Sequence, residues 1–480
     1  MNAVTFPQLK SVAALPGPKS WPLVGGLLGN YPQINFAEFH RQLERWADAY
    51  GPTYRFSLGP RSLVVIADAE AIGTVLRERP HLFGRRAELE RVFDELGFNG
   101  VFSSDGEDWK RQRKIVAMAL NSAHLHKFHD GLLATTERLR QRWLEVANAG
   151  WSTDLCADLM RYTVDVTTQL AFGIDFNTLE TDGPVIQQHL DKVFPMLSKR
   201  LGAPFPYWRH LKFRADRELD RAVDAIHQQI KIIIHECRRR MAANPGLHEE
   251  PTNFLEAMIA AKETEGLAFS DDDIIANSFT LLLAGEDTTA NTLAWAIKFF
   301  IDYPELFRQV RTEVDSVLGA ELMPAHFTDI ARLPTVEAFA NETMRLKPVA
   351  PILVFDAKET VTLAGVEIPP GMAIVLLTRR IANRPENFST PAEFQLSRWL
   401  EKAPAPDRVH NTKAFLPFGT GPRFCPGRNL ALVEIKMVLA MLARNFEVEL
   451  ADPSVPVEEL FAFTMSPTNL DVKFKSRAAL

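Results

Sequence analysis

Residues 415–428 read FLPFGTGPRFCPGR, and four features of this stretch converge on Cys425. Gly419, Gly421 and Gly427 permit tight or left-handed backbone and a close approach to a flat ligand. Pro426 and Gly427 lead into the apolar-periodic run Leu430, Val433, Met437, Met441, which predicts a helix from Gly427 to about Arg444. Cys425 thus stands at a helix N-terminus, where the macrodipole and free N–H groups favour an anionic sulfur of lowered pKa. Arg423, two residues earlier, supplies a cation suited to a carboxylate, and Phe418 supplies an aromatic face beside the sulfur. Such a thiolate serves as a nucleophile or as a metal ligand. The nucleophile needs a base, and the histidine nearby in sequence is His410, on a poorly structured stretch. A merely packed cysteine leaves the three glycines and the arginine unexplained.

A second stretch lies upstream, FSDDDIIANSFTLLLAGEDTTANTLAWAIKFF from Phe269. Ser270 with Asp273 has the spacing of a capping box, and Phe269 with Ile274 that of a hydrophobic staple. About 30 proline-free residues follow before Pro304, which predicts a helix of about 45 Å at 1.5 Å per residue. In its middle the run Leu281, Leu282, Leu283, Ala284 gives way to Gly285-Glu286-Asp287-Thr288-Thr289. Apart from Glu286 these are poor helix formers, because Asp and Thr side chains compete for backbone hydrogen bonds. A local rule broken inside a good helix marks a functional position.

The remainder bounds the class. Of 480 residues 46% are hydrophobic and 24% charged, a globular composition without linkers or internal repeats. We expect one domain over residues 1–480, with an irregular Pro/Gly-rich lead-in over 1–35. A helix is predicted from about Phe36 to Ala49, and strands at Thr53–Leu58 and Ser62–Ala67. From Ala69 to Leu318 the pattern is mainly helical, and a β-rich stretch spans about Thr360 to Leu377. The fold class expected is mainly α with small β-sheets, α+β. The net charge of −6 excludes a basic nucleic-acid-binding protein. Three cysteines are too few for a disulfide framework, which points to a reducing, cytoplasmic compartment. Cys237 lies on an apolar helical stripe and Cys156 among Leu155, Leu159 and Met160, so both read as packing. The N-terminus offers no signal peptide and no transmembrane anchor.

The spacing Phe418-x-x-Gly421-x-Arg423-x-Cys425-x-Gly427 resembles the haem-binding signature of the cytochrome P450 family, of the soluble, bacterial type. The resemblance implies the P450 fold, with haem b between a long central helix and the cysteine loop. Cys425 becomes the axial iron ligand, Arg423 the partner of a haem propionate, and Phe418 a tuner of the sulfur. The segment at Asp287-Thr288 resembles the family's oxygen-activation motif. Ala284 and Gly285 then leave room for O2, Thr288 hydrogen-bonds the bound oxygen, Asp287 relays protons, and Glu286 is a helper or a structural acid. Glu342 and Arg345, i, i+3 on one helix, resemble the E-x-x-R motif, and Arg398 completes that structural network. Trp109 and Arg113 resemble the pair that holds a propionate. There are two departures. Leu396 stands where the family commonly has proline, and Phe355 where many members place another propionate-binding arginine.

The activity implied is a monooxygenase that inserts one atom of O2 into an apolar small molecule. A separate electron donor, a ferredoxin or flavodoxin with its reductase, is expected, and no reductase domain is fused behind the haem domain. A pocket is expected from Phe93, Phe98, Val101, Leu283, Ile352, Leu353, Val354 and Phe463, and the state expected is monomeric. Lys110, Arg111 and Lys114, with Arg428 and Lys436, offer a cationic docking face. Two rivals remain at this point. A haem-thiolate peroxygenase or isomerase tends to lack the acid–threonine pair, and a haem-based sensor usually carries an output domain.

Overall fold

A computed structural model describes residues 9–20, 29–120, 126–181, 193, 195–197, 199–203, 205–264, 269–400 and 408–477. Pro22, Gly25 and Gly26 of the lead-in lie outside these residues. In chain order the helices among them are α1 Phe39–Tyr50, α2 Ala69–Arg77, α3 Ala87–Glu95, α4 Gly106–Ala119 and α5 His129–Ala149. There follow α6 Leu155–Phe172, α7 Arg214–Ala243, α8 Phe254–Thr264, α9 Asp271–Asp302 and α10 Pro304–Leu318. The last are α11 Phe327–Ala331, α12 Pro334–Leu346, α13 Thr378–Ala382, α14 Ser397–Leu400 and α15 Arg428–Asn445. The strands are β1 Lys10–Ser11, β2 Thr53–Leu58, β3 Arg61–Ile66, β4 Phe83–Arg85, β5 Thr153–Asp154, β6 Leu353–Ala357 and β7 Val361–Leu363. β8 Val366–Ile368, β9 Ala373–Leu376, β10 Phe446–Leu450, β11 Glu458–Phe461, β12 Met465–Thr468 and β13 Asp471–Ser476 complete them.

Helix α9 is the axis. Its start is the expected capping box: the Asp273 N–H donates to Ser270 Oγ at 3.0 Å, and the Ser270 N–H donates to Asp273 Oδ2 at 2.7 Å. Phe269 and Ile274 are both buried. Tyr303 caps the far end, and Pro304 opens α10 at a position where a missing N–H costs nothing. The 32 residues of α9 are apolar on more than one face, and the helix packs on α6, α7, α10, α12 and α15.

The sheets sit beside this helical mass. β2, β3, β9, β6 and β4 form one sheet in that order, with β3–β9 parallel and the other pairs antiparallel. β8 pairs with β7 and with β1, so the lead-in is not wholly irregular. The β-rich stretch begins at Leu353, earlier than periodicity indicates, because apolar residues on both faces of β6 hide its alternation. The α+β class and the element order otherwise follow the sequence.

One close approach fixes how α9 meets α6. A β-carbon placed on Gly285 falls 2.6 Å from Thr167 Oγ1 and 2.9 Å from its Cγ2. Gly285 therefore serves helix–helix contact with α6, rather than clearing room for O2 as its neighbourhood in the motif led us to expect. Gly285→Ala is expected to destabilise the fold by about 1–3 kcal/mol in denaturant titration. Adding Thr167→Ala should recover most of that loss, and failure to recover it would place the clash elsewhere.

Candidate functional site

The cysteine loop is a tight reversal closed by its own backbone. The Cys425 N–H donates to the Phe418 carbonyl at 2.9 Å, and the Phe424 N–H donates to the Gly421 carbonyl at 3.1 Å. Gly421 has φ +74°, and a β-carbon there falls 2.4 Å from the Leu76 carbonyl oxygen at the end of α2. Glycine is thus required twice over, by conformation and by space. Gly427 is the N-cap of α15, with an ordinary φ of −83°. A β-carbon on it meets Cys425 Sγ at 3.9 Å, so its glycine keeps the sulfur's flank open.

The electrostatics of the sulfur divide. Burial pushes the Cys425 thiol up, while the Gly427 N–H, the Arg113 charge and the Arg428 N–H pull it down. Burial prevails in the protein alone. The lowered pKa expected from the helix terminus is therefore corrected: the N–H groups act in the expected direction, but desolvation outweighs them. A thiolate at this buried position needs a cation beside the sulfur. Burial pushes the Cys156 thiol up to about 12 and, despite Arg240 beside its sulfur, the Cys237 thiol to about 11, consistent with packing.

Arg423 stacks on Trp109, its guanidinium carbon 4.3 Å from the ring centroid, and donates to the Ser104 carbonyl and to Asp105 Oδ1, each at 2.8 Å. Its Nε has no hydrogen-bond partner among the described residues. Arg113 lies with its guanidinium carbon 4.8 Å from the Phe424 ring centroid, on the sulfur's side of the loop. Trp109 and Arg113 therefore do not form one clamp: the first supports Arg423, the second faces the loop.

On α9, Ala284 is exposed and Thr288 half-buried, one turn apart, while Leu283, Glu286 and Asp287 beside them are buried. Mid-helix, this makes a narrow open stripe between covered flanks. Thr288 Oγ1 donates to the Ala284 carbonyl at 2.8 Å, and the helix runs through the polar segment unbroken. Asp287 is turned elsewhere. Its carboxylate accepts from the Thr464 hydroxyl, and from Asn291 Nδ2 at 3.1 Å, in a buried setting. Burial raises the Asp287 carboxyl above the usual range, opposed by these two donors. Thr464 belongs to the β11–β12 hairpin and carries no local motif, so sequence alone did not single it out.

The Glu342–Arg345 pair is fully buried, at 0% exposure for both side chains, and not a surface pair. Two parallel bonds of 2.8 Å join them, and Glu342 also accepts from Arg398 Nε at 3.1 Å and Trp399 Nε1 at 3.0 Å. Arg345 donates onward to the carbonyls of Ala382, Pro391 and Glu393, which ties the segment before the cysteine loop to α12. Leu396, in place of the family's proline, is buried in the helical core.

The expected pocket residues sort into groups. Phe93 and Phe463 are joined through Phe102, with ring centroids 5.8 and 5.9 Å apart, so Phe102 is a wall residue that was missed. Val101 is half-buried beside it, its N–H held by Asn277 Oδ1. Phe98 is stacked on Phe279 and edge-on to His227, packing inside the helical core rather than joining that wall. Leu353 shares a cluster with Phe355, whereas Ile352 and Val354 pack on the other side of the sheet with Phe56 and Trp46. Strand alternation thus puts no more than part of that trio on one face. Among the cations, Lys436 is 5% exposed and bonded to Glu337 at 2.9 Å, so it is removed from any docking face. Arg111 is half-buried and bridges to Asp273 at 3.4 Å.

Residues 15–474 match the family described as Cytochrome P450. The chain is 27% identical to the carotene epsilon-monooxygenase, chloroplastic, of Arabidopsis thaliana, over 93% of this chain and 84% of that one. It is 25% identical to human cytochrome P450 4V2, over 90% of this chain and 83% of that one. It is also 26% identical to a bifunctional cytochrome P450/NADPH–P450 reductase of Bacillus subtilis, over 98% of this chain and 43% of that one. The relatives thus include a protein fused to a reductase as well as proteins that this chain spans over most of their length. No helix among the described residues is long and apolar enough to cross a membrane. A match over nearly the full length, on a fold of this class, identifies the chain as a member of the cytochrome P450 family, a haem-dependent monooxygenase.

Proposed function

We propose that Cys425 is the thiolate ligand to the iron of haem b, and that the chain hydroxylates an apolar small molecule with electrons from a separate donor. The observation that carries this reading is the open stripe of Ala284 and Thr288 on α9, a helix packed against the α15 that Cys425 introduces. The residues present fit the group. A flat dianionic ring needs a soft anionic ligand, space on its far face and donors at its acid edge. Cys425, Ala284, and the orphaned Nε atoms of Arg423 and Arg85 supply these in turn. When bound, the haem supplies the oxidising chemistry, with electron density from a thiolate favouring O–O cleavage.

The chain's own residues bind, orient and move protons. Thr288 Oγ1, parked on the Ala284 carbonyl, is placed to turn and donate toward a ligand over the stripe. Burial raises the Asp287 carboxyl, and Thr464 and Asn291 fix its orientation. The proton route we infer enters along the hairpin side of α9, where those partners lie, and leaves at Thr288. Leu283 and the wall of Phe93, Phe102 and Phe463 present apolar side chains, which favours an apolar substrate. The carotene named in one relative's description is apolar too.

The donor surface we assign is the sulfur's side of the fold, where Phe424 is 47% exposed, Arg428 is exposed, and α4, which sets Arg113 against Phe424, carries the exposed Lys110 and Lys114. A small acidic ferredoxin or flavodoxin matches that mixture of apolar and cationic groups.

Three outcomes test the reading. The reduced carbon monoxide complex is expected to show the strongly red-shifted main band of thiolate ligation, and Cys425→Ala to lose it; its retention would mean that another residue holds the iron. Thr464→Val removes a donor that favours ionised Asp287, so the carboxyl should stay protonated to higher pH. The infrared band that disappears in Asp287→Asn reports this, and an unmoved midpoint counts against the Thr464 link. Lys110→Glu with Lys114→Glu should slow reduction by an acidic ferredoxin roughly tenfold at low salt, with the difference fading as salt rises.

A further inference from the structure

Three arginines gather beside the cysteine loop with one acid among them. Arg79 follows α2, whose final carbonyls Gly421 touches. It is 4% exposed, and its guanidinium carbon lies 3.8 Å from the ring centroid of buried Phe355. Arg85 stands opposite Phe355 in the β4–β6 register, its guanidinium carbon 6.0 Å from the same ring and 4.3 Å from that of Phe102. Nε and Nη2 of Arg79, Nε of Arg85 and Nε of Arg423 have no hydrogen-bond partner among the described residues. The acid, Asp105, is already engaged: Oδ1 takes Arg423 at 2.8 Å and Oδ2 takes Lys358 at 2.9 Å.

Buried guanidinium groups without acceptors are costly, and they keep their charge. Burial, then repulsion from Arg85 and Arg423, works against the charge of Arg79, and burial works likewise against those of Arg85 and Arg423. A cation–π contact with Phe355 accounts for the position of Arg79 but not for its two idle donors. A planar fork with free N–H groups matches a carboxylate.

We propose that Arg79, laid on the face of Phe355, anchors a haem propionate in place of the arginine that many family members extend from that strand position. This rests on the haem reading above. The chain has moved the guanidinium from β6 to the end of α2 and kept an aromatic platform where the arginine's own stem would run.

The test uses the haem-loaded protein, following haem transfer to excess apomyoglobin by absorbance, with haem and with haem dimethyl ester, whose propionates are neutral. Arg79→Gln is expected to release haem roughly tenfold faster or more, and Arg79→Gln with Phe355→Arg to regain most of the retention. With the ester, parent and Arg79→Gln should release alike. Release of natural haem at the parental rate, or equal acceleration with the ester, would overturn the proposal. If Arg79→Gln folds poorly, Arg79→Lys carries the test. It keeps the charge but loses the fork, so faster release of haem and parental release of the ester support the anchor, and parental release of both overturns it. The carbon monoxide band of the parent separates the two levels. A parent without thiolate-bound haem defeats the function proposed above, whereas a parent with it and an indifferent Arg79 defeats this inference alone.

Discussion

Helix α9 is buried along both flanks yet stays open on one stripe at its middle, and the rest of the site is arranged about that stripe. The helix can be so deeply covered because Gly285 lets α6 come within contact of its backbone, with Thr167 filling the space a side chain would need. The same approach sets the rotation of the helix. With Gly285 against α6, Ala284 and Thr288 face outward and Asp287 faces the β11–β12 hairpin. Neighbours in sequence thus take different duties because about 100° separates successive residues on a helix.

How much of this was legible follows from the range of each interaction. The cysteine loop was readable because its glycines, arginine and cysteine act within fourteen residues, and the backbone closure from Cys425 to Phe418 is local. The capping box at Ser270 and the Glu342–Arg345 pair were readable for the same reason, three-residue spacing on a helix. Gly285 was misread because its partner, Thr167, lies on another helix. Thr464 and Phe102 were missed because nothing local distinguishes them. Lys436 seemed a surface charge, yet α15 is covered nearly all round, and its ammonium reaches Glu337. Leu353 and Val354 of β6 pack in different clusters, and Ile352 joins that of Val354, because a strand sends successive side chains to opposite faces.

The hairpin shows how a wall residue acquires a fixed position. At one end Glu459 accepts from His40, Arg41, Lys347 and Arg379, and the His40 hydrogen bond with the charges of Arg379 and Lys347 holds its carboxyl well below the usual range despite burial. Its contribution is present at neutral pH and is lost as pH falls, because the folded form binds the proton less readily than the unfolded one. At the other end the Met465 N–H donates to the Val349 carbonyl, Trp295 Nε1 donates to the Met465 carbonyl, and Thr464 meets Asp287. Phe463 sits between these anchors and touches Phe102. The two acids of this region are therefore tuned in opposite senses for opposite tasks. Glu459 is surrounded by cations and stays ionised, which makes it a structural pin. Asp287 meets the neutral donors Thr464 and Asn291, and burial pushes it toward its protonated form, which suits the proton-delivering role proposed for it. A turn carrying one aromatic side chain links them, so the shape of the apolar wall and the orientation of the acid are set by the same two strands.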